Sequence, residues 1–449
     1  MPPYWRAIQP AIVPSGSNWC KHAAPSDETL GTLVVQYHRQ HPPRSNSLAM
    51  TSPPPRIPGR RFLHSPGPTP LPEAVLQAMS AQPMDLADPR VDANIAACEH
   101  GLKRLLHTQA SDVFMYAANG HGVWEAVVEN LAAPGEAVLV PGTGHFSESW
   151  AVQTEGLGRR VVRTPWREGW PIDADVVEQA LRDDKARAIK AVFAVHTDTA
   201  SSVTSDLAAI RRAIDAAGHP ALLVADVVAS LGAVPFAMDA LRVDVAVGAS
   251  QKGLMCPPGV GFVAVNAAAF GAAERNTSPR FYWDWVRRKH ELSYRKFCGT
   301  PPQNLLLGME AALGLIFGEG LEAVWLRHEQ LARAVHAAVE GWREGGALDF
   351  LAQDPASRSR SVTTISAAGI DIEALRSVAR ERFQVAIAGG LGPQTGRAFR
   401  IGHLGDCNPA MILGAIAGVE AALVAQGVNV GGGGTRRAVM SLAGQPLPA

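Results

Sequence analysis

Short, almost unbroken apolar runs alternate along this chain with stretches whose apolar residues recur every three to four positions. Residues 113–116, 137–140, 188–195, 221–225 and 244–247 are runs of the first kind. Their length and lack of polar alternation predict strands buried on both faces. Between them, Val123, Val127 and Leu131, with Trp124 and Val128, share one face of a helix that Pro134-Gly135 ends. Leu207, Ile210, Ile214 and Ala217 mark another, capped by Thr204 or Ser205 and closed by Gly218. Residues 261–265 read as an antiparallel return, and 72–79 as a helix after the turn-rich entry 63–70. Strands that alternate with helices in this way predict an α/β fold, a mostly parallel sheet with helices on both faces.

The second half changes texture. Residues 280–297 are aromatic and charged, with Phe281, Tyr282, Trp283 and Trp285, a density suited either to an interface or to a core. Residues 304–342 read as one or two long helices with a break at 318–320. A smaller α/β domain follows: strand 361–365, helix 372–383, strands 385–388 and 398–401, and helix 409–425. The expected organisation is an N-terminal extension over 1–61, a large domain over 62–320, a small domain over 321–427 and a flexible tail over 428–449 that contains the run Gly431 to Gly434. The extension is rich in proline, serine and histidine, has acids only at Asp27 and Glu28, and reads as disordered. Its arginines also suit a mitochondrial presequence, although no clean amphipathic helix is present, and Met50 is an alternative start.

Composition narrows the function classes. Lys plus Arg and Asp plus Glu both number 41, so no basic excess points to nucleic acid or to an anionic membrane. No apolar run approaches the ~20 residues of a membrane span. Five cysteines, Cys20, Cys98, Cys256, Cys298 and Cys407, are scattered and odd in number. They form neither a metal-ligand spacing nor a disulfide framework, and a reducing, cytoplasmic setting is expected.

Candidate chemistry collects at the carboxyl ends of the strands. Lys252 follows one apolar run and Asp226 ends another. A lysine that forms a Schiff base and a carboxylate that keeps a pyridine nitrogen protonated are the pair a pyridoxal phosphate enzyme needs. For any single lysine an ordinary surface loop is the commoner case. Asn119-Gly120-His121-Gly122 opens a helix, where free N–H groups and the helix dipole favour a phosphate, though a plain strand-to-helix turn uses the same glycines. Gly142 and Gly144 begin a dinucleotide fingerprint whose third glycine is replaced by Ser147. Phe146 offers a flat face to an aromatic cofactor, and the loop after 188–195 carries Thr199. Arg400 stands among apolar residues in a strand, so a substrate carboxylate or a structural salt bridge must satisfy it. In a parallel sheet these loops converge on one crevice, and that convergence favours the functional reading of Lys252.

Together these pieces resemble the class V aminotransferases of pyridoxal phosphate fold-type I, most closely the alanine–glyoxylate and serine–glyoxylate enzymes. The resemblance spans about 62–434 and rests on Pro66-Gly67-Pro68, Asn119-Gly120-His121, Asp226 within 225–232, Ser250-Gln251-Lys252-Gly253, Thr300 before two prolines, and Arg400-Ile401-Gly402. It implies pyridoxal 5'-phosphate bound to Lys252, with Asp226 at the ring nitrogen, Phe146 on the ring face and Thr199 near the phenolic oxygen. It also implies a phosphate held by Asn119, Gly120, His121 and Gln251, with Thr300 reaching it from the other subunit of a homodimer. Arg400 and Gly67 would meet the substrate, a small amino acid such as L-serine or L-alanine with glyoxylate or pyruvate as acceptor.

Three positions depart from the family pattern. In the loop 196–202, Ser202 replaces a glycine, which predicts a local change of backbone. Asn119 stands where serine is common, and Phe297 where some members carry tyrosine. Rival readings are a same-fold cysteine desulfurase or lyase using Cys407, a pyridoxamine–pyruvate transaminase, and a non-catalytic cofactor binder.

Overall fold

The computed structural model describes residues 59–444, so the extension expected over 1–61, with its presequence and Met50 readings, lies almost wholly outside the described residues. In chain order the first elements are β1 (Phe62–His64), α1 (Glu73–Met79), α2 (Pro89–Leu105), β2 (Asp112–Ala118), α3 (Gly120–Leu131), β3 (Ala137–Val140), α4 (His145–Gly156), β4 (Arg160–Arg163) and α5 (Ala174–Asp183). There follow β5 (Ile189–Val195), the hairpin β6 (Thr197–Asp198) and β7 (Val203–Thr204), α6 (Leu207–Ala216), β8 (Leu222–Asp226), β9 (Val245–Ala249), β10 (Gly259–Val265) and α7 (Ala267–Arg275). The second half holds α8 (Trp285–Arg288), α9 (Ser293–Lys296), α10 (Gln303–Glu319), α11 (Leu321–Arg343), β11 (Leu348–Phe350) and β12 (Val362–Ala367). Last come α12 (Ile372–Arg382), β13 (Val385–Gly389), β14 (Ala398–Gly402), α13 (Pro409–Ala425) and α14 (Gly434–Leu442).

Seven strands form the main sheet in the order β2-β10-β9-β8-β5-β3-β4. From β9 to β4 every pair is parallel, and β10 runs antiparallel to both its neighbours, as its position after β9 predicts. The apolar runs feed two layers because successive strand side chains alternate in direction. Val192, Leu223 and Ala246 join a core with α2, α5, α6 and α10, whereas Phe193, Val224 and Val247 join one with α3, α4 and α7. Each such buried aliphatic or aromatic side chain contributes about 1.5–3 kcal/mol, which is why the central strands carry no polar alternation.

A second sheet has the order β1-β13-β14-β12-β11 and packs against α11, α12, α13 and α14. Two boundaries differ from expectation. Phe62, Leu63 and His64 pair in parallel with Val385, Ala386 and Ile387, so the first strand belongs to the second sheet and not to the large domain. Three residues are too few for a periodic pattern to reveal this. The tail expected to be flexible from 428 contains α14, whose Gly434 and Ala438 are buried. Thr435 N and Trp342 Nε1 both donate to Glu420 Oε2 at 2.8 Å, and Arg437 pairs with Glu344. The glycines that suggested mobility are what let this helix lie close to α11: a Cβ on Gly434 would sit 2.4 Å from the Trp342 ring nitrogen.

The break expected at 318–320 is present. α10 and α11 meet at Gly320, φ +90°, and diverge by 86°. Among the described residues no single helix is long and apolar enough to cross a membrane.

Candidate active site

β8 ends on Asp226, β9 stops just short of Lys252, and β5 leads into the loop of Thr199. Because these strands are parallel, all three side chains arrive at one edge of the sheet. There Gly67, Asn119, Gly120, His121, Phe146, Thr199, Asp226, Gln251, Lys252 and Arg400 line a single cavity of about 230 Å³. Of the residues expected to hold cofactor or substrate, Thr300 lies elsewhere: it is exposed, beside the half-buried Cys298. A larger open groove of about 920 Å³ lies on the second sheet and includes none of them. Most of its charges are paired, Arg343 with Glu340 and Asp349, and Arg437 with Glu344, while Arg397 has no ion pair among the described residues.

Lys252 Nζ donates to the Pro66 carbonyl, and Thr69 Oγ1 donates to the Lys252 carbonyl at 3.1 Å. Gly67, φ +135°, passes so close that a Cβ there would lie 2.5 Å from Nζ. The segment after β1 therefore packs directly on the lysine. Desolvation pulls the Lys252 ammonium down to about 8, Arg400 adds repulsion, and Asp226 and Asp198 oppose it. Burial likewise pushes the Asp226 carboxyl up to about 6. Three groups hold it down, the Val228 N–H (2.7 Å), the Trp124 indole N–H (2.9 Å) and Lys252.

Asn119 is the N-cap of α3, its Oδ1 accepting from Gly122 N at 3.1 Å. The N–H groups of Gly120 and His121 stay free of intrahelical partners, as first-turn donors do. Phe146 opens α4, with Trp124 edge-on at 6.3 Å and His145 at 5.3 Å. The Gln251 Oε1 atom is buried with no partner. Arg400 is 7% exposed in β14. Its Nε donates to Gly389 O (2.8 Å) and its Nη1 to Thr199 O (3.1 Å). Among the described residues no carboxylate pairs with it, which removes the structural salt bridge.

Asp198 and several residues of the lining were not assigned from sequence. Asp198 is fully buried and accepts from Phe146 N (2.7 Å), Ala200 N (2.7 Å) and Ser201 N (3.1 Å), fixing the aromatic residue to the Thr199 loop. Trp124, Val228 and Leu391 also line the cavity. Asp198 stands one residue before Thr199 with no local signal of its contacts, and Trp124 sits in the apolar stripe of α3 and reads as core.

Ser202 corrects the expected change of backbone. It takes φ +59°, the region that favours glycine, and so follows the path a glycine permits. Its hydroxyl accepts from Thr364 N at 3.0 Å, its carbonyl accepts from Ser359 N at 2.9 Å, and Thr364 Oγ1 donates to Ala200 O at 3.0 Å. Phe297 is buried in the apolar core and does not line the cavity. Cys407 also points inward, 4% exposed, with burial lifting its thiol to about 12.

A strand-end lysine, a buried carboxylate and an arginine without an ion pair among the described residues meet around one cavity of an α/β fold. The sequence pattern of the family described as aminotransferase class-V matches residues 61–399. The serine–glyoxylate aminotransferase of Methylorubrum extorquens is 40% identical over 399 residues, 87% of this chain and 98% of that protein. An L-aspartate–glyoxylate aminotransferase of Paracoccus denitrificans is 39% identical, covering 81% of this chain and 91% of its own length. The solved alanine–glyoxylate aminotransferase of Nostoc sp. superposes with a TM-score of 0.73 at 27% identity, over 85% of this chain and all of that one. The chain belongs to the class-V aminotransferase family, and it is an enzyme of amino-group transfer.

Proposed function

We propose that this enzyme moves the amino group of L-serine or L-alanine to glyoxylate or pyruvate, using pyridoxal 5'-phosphate held at Lys252. The observation that carries the reading is that Lys252, Asp226 and Arg400, from three separate elements, line one cavity. The residues fit the cofactor. Gln251 has a buried amide oxygen without a partner, which marks an amide free to turn its N–H groups to a phosphate, and the α3 N-terminus is an anion site. Gly67 leaves open space beside Nζ that any side chain would fill.

Bound there, the cofactor would supply an electrophilic carbonyl and an electron-accepting ring. The chain's own groups do the rest. Lys252 supplies the amine that links the cofactor, and its lowered proton affinity lets Nζ accept and return the Cα proton near neutral pH. Asp226 holds the proton on the ring nitrogen. Asn119, Gly120, His121 and Gln251 hold the phosphate, and Phe146 covers the ring. Arg400 grips the carboxylate common to amino acid and oxo acid, since its two protein bonds use Nε and Nη1 and leave Nη2 for substrate.

Among the described residues, Arg400 and Lys252 are the only Lys or Arg side chains lining the cavity. That supports donors with one carboxylate over a dicarboxylate such as aspartate, and the apolar Leu391 at the same wall supports a short side chain. The inward-facing Cys407 supports amino transfer over sulfur chemistry. The reading includes a homodimer in which Thr300 completes the partner's phosphate site; its support is the exposed position of Thr300 and the exposed Phe281, Leu292 and Tyr294 nearby in sequence. It also includes a cytoplasmic setting, supported by four free cysteines among the described residues.

Half-reactions with a panel of amino donors, followed by loss of the visible band of the loaded protein, test the reading. L-serine and L-alanine should bleach the band faster than L-aspartate. A protein whose spectrum ignores added pyridoxal phosphate, or one that prefers aspartate, overturns it.

A further inference from the structure

Both oxygens of the Asp226 carboxylate already carry a donor from the chain. Val228 N–H reaches Oδ1 at 2.7 Å, a bond set by the backbone turn that follows β8. The Trp124 indole N–H reaches Oδ2 at 2.9 Å, and this donor is a side chain brought from α3. An indole donates and never accepts, so it favours the ionised carboxylate over the protonated acid.

Trp124 is itself held without freedom to turn. It is 2% exposed, and its ring stacks on Trp150 at 5.1 Å and 10°. Trp150 stacks in turn on Phe193 at 4.6 Å and 15°. Phe193 lies in β5, directly opposite Val224 of β8, two residues before Asp226. A column of three rings thus ties the indole to β5, the strand that pairs with the one carrying its acceptor. The Trp150 Nε1 atom has no partner among the described residues, so within this column only Trp124 uses its N–H.

On the reading of this cavity as a pyridoxal phosphate site, we propose that Trp124 is a positioning residue whose indole N–H keeps Asp226 ionised and turned to the cofactor's ring nitrogen. Its ring packs as core; its N–H acts on the chemistry. Without that bond the carboxylate becomes more basic and draws the ring-nitrogen proton toward itself. The nitrogen that joins Lys252 to the cofactor, relieved of a neighbouring positive charge, then keeps its own proton to higher pH.

Trp124→Phe preserves a ring in the column and deletes the donor. In the loaded protein the pH midpoint of the visible absorption change should rise by about one unit, since a hydrogen bond to a charged group is of that size. Pyridoxal phosphate, titrated by protein fluorescence, should bind several-fold more weakly. Trp150→Phe disturbs the same column without touching Asp226 and should leave the midpoint at the native value. Trp124→His restores an N–H and should return the midpoint toward native, which a purely structural role does not anticipate; it reads the same question if Trp124→Phe fails to fold. A Trp124→Phe midpoint equal to the native one, an equal rise in Trp150→Phe, or a fully raised midpoint in Trp124→His overturns the proposal alone. A native protein with no band that depends on Lys252 overturns the cofactor reading, and the proposal with it.

Discussion

Lys252 sits between opposed demands. On the proposed reading it reaches a carbonyl as a free amine, and it lies in a cavity that also contains the Arg400 guanidinium. Desolvation and that repulsion bring it to about 8, so near neutral pH a useful fraction is unprotonated. Its one side-chain bond is to the Pro66 carbonyl. Lys252→Ala should therefore lower turnover by roughly 10³-fold or more while thermal melting stays close to native; retained turnover would remove Lys252 from the mechanism. Gly67→Ala tests the same space from the other side. Its Cβ would lie 2.5 Å from Nζ, at a φ that L residues avoid, so cofactor uptake should fall sharply in a protein that still folds. Lys252 and Asp226 were legible in the sequence because each follows an apolar run, and a strand end is visible without knowing its neighbours. Trp124 and Asp198 were not, since their roles depend on which loops meet in space. A tryptophan in an apolar helical stripe reads as core, and over most of its surface that reading is right.

The loop between β5 and α6 shows how an element in one domain is governed by the other. Its hairpin sits beyond the main sheet, yet Ser202 and Ala200 bond to Thr364 and Ser359 of the second sheet's side. Thr364 lies opposite Arg400 in the β12–β14 ladder, and Arg400 reaches back to Thr199 O. The Thr199 loop and the strand of Arg400 are thereby one hydrogen-bonded unit. Ser202 adds a hydroxyl that a glycine lacks and tolerates φ +59° to do so. Ser202→Gly relieves the strain but leaves Thr364 N buried without its acceptor, a loss of about 1 kcal/mol net. Ser202→Ala loses the hydroxyl and keeps the strain, a loss of about 2–3 kcal/mol. Melting temperatures should fall in the order Ser, Gly, Ala; a glycine variant more stable than native would show that the hydroxyl contributes nothing. Elements were read best where their pattern is long or buried on both faces, as with β5 and α13. β1, with three residues, and α14, behind a run of glycines, take their places from partners remote in sequence, so local pattern could not place either one.

At the scale of the molecule, buried neutral histidines lie beside both sheets. His64 lies in β1, with Nδ1 at 2.9 Å from Gly402 O. His403 lies between Arg360 O and Thr363 Oγ1, and His328 of α11 accepts from Gly405 N. His196, at the end of β5, contacts Ser230 Oγ at 2.8 Å. Burial lowers all four, His196 and His328 to about 4, and Arg327 lowers His328 further. The unfolded chain then binds protons that the folded chain refuses. The stability these histidines contribute is fully present above their unfolded value of 6.5 and is lost as pH falls toward 4. Each draws up to ~1.4 kcal/mol per pH unit within that window. Asp226 has the opposite sign: raised from 3.8 to about 6, its contribution is present below 3.8 and lost as pH rises through 6. Lys252, lowered from 10.5 to about 8, acts only above that range. One carboxyl against four imidazoles leaves the balance with the histidines, and between about 6 and 6.5 nothing in this set opposes them. Calorimetric melting of the protein should show a temperature that drops steadily from pH 7 to 5. A flat profile over that interval would mean that these histidines become protonated without cost, by side-chain exposure to water while the two sheets stay packed.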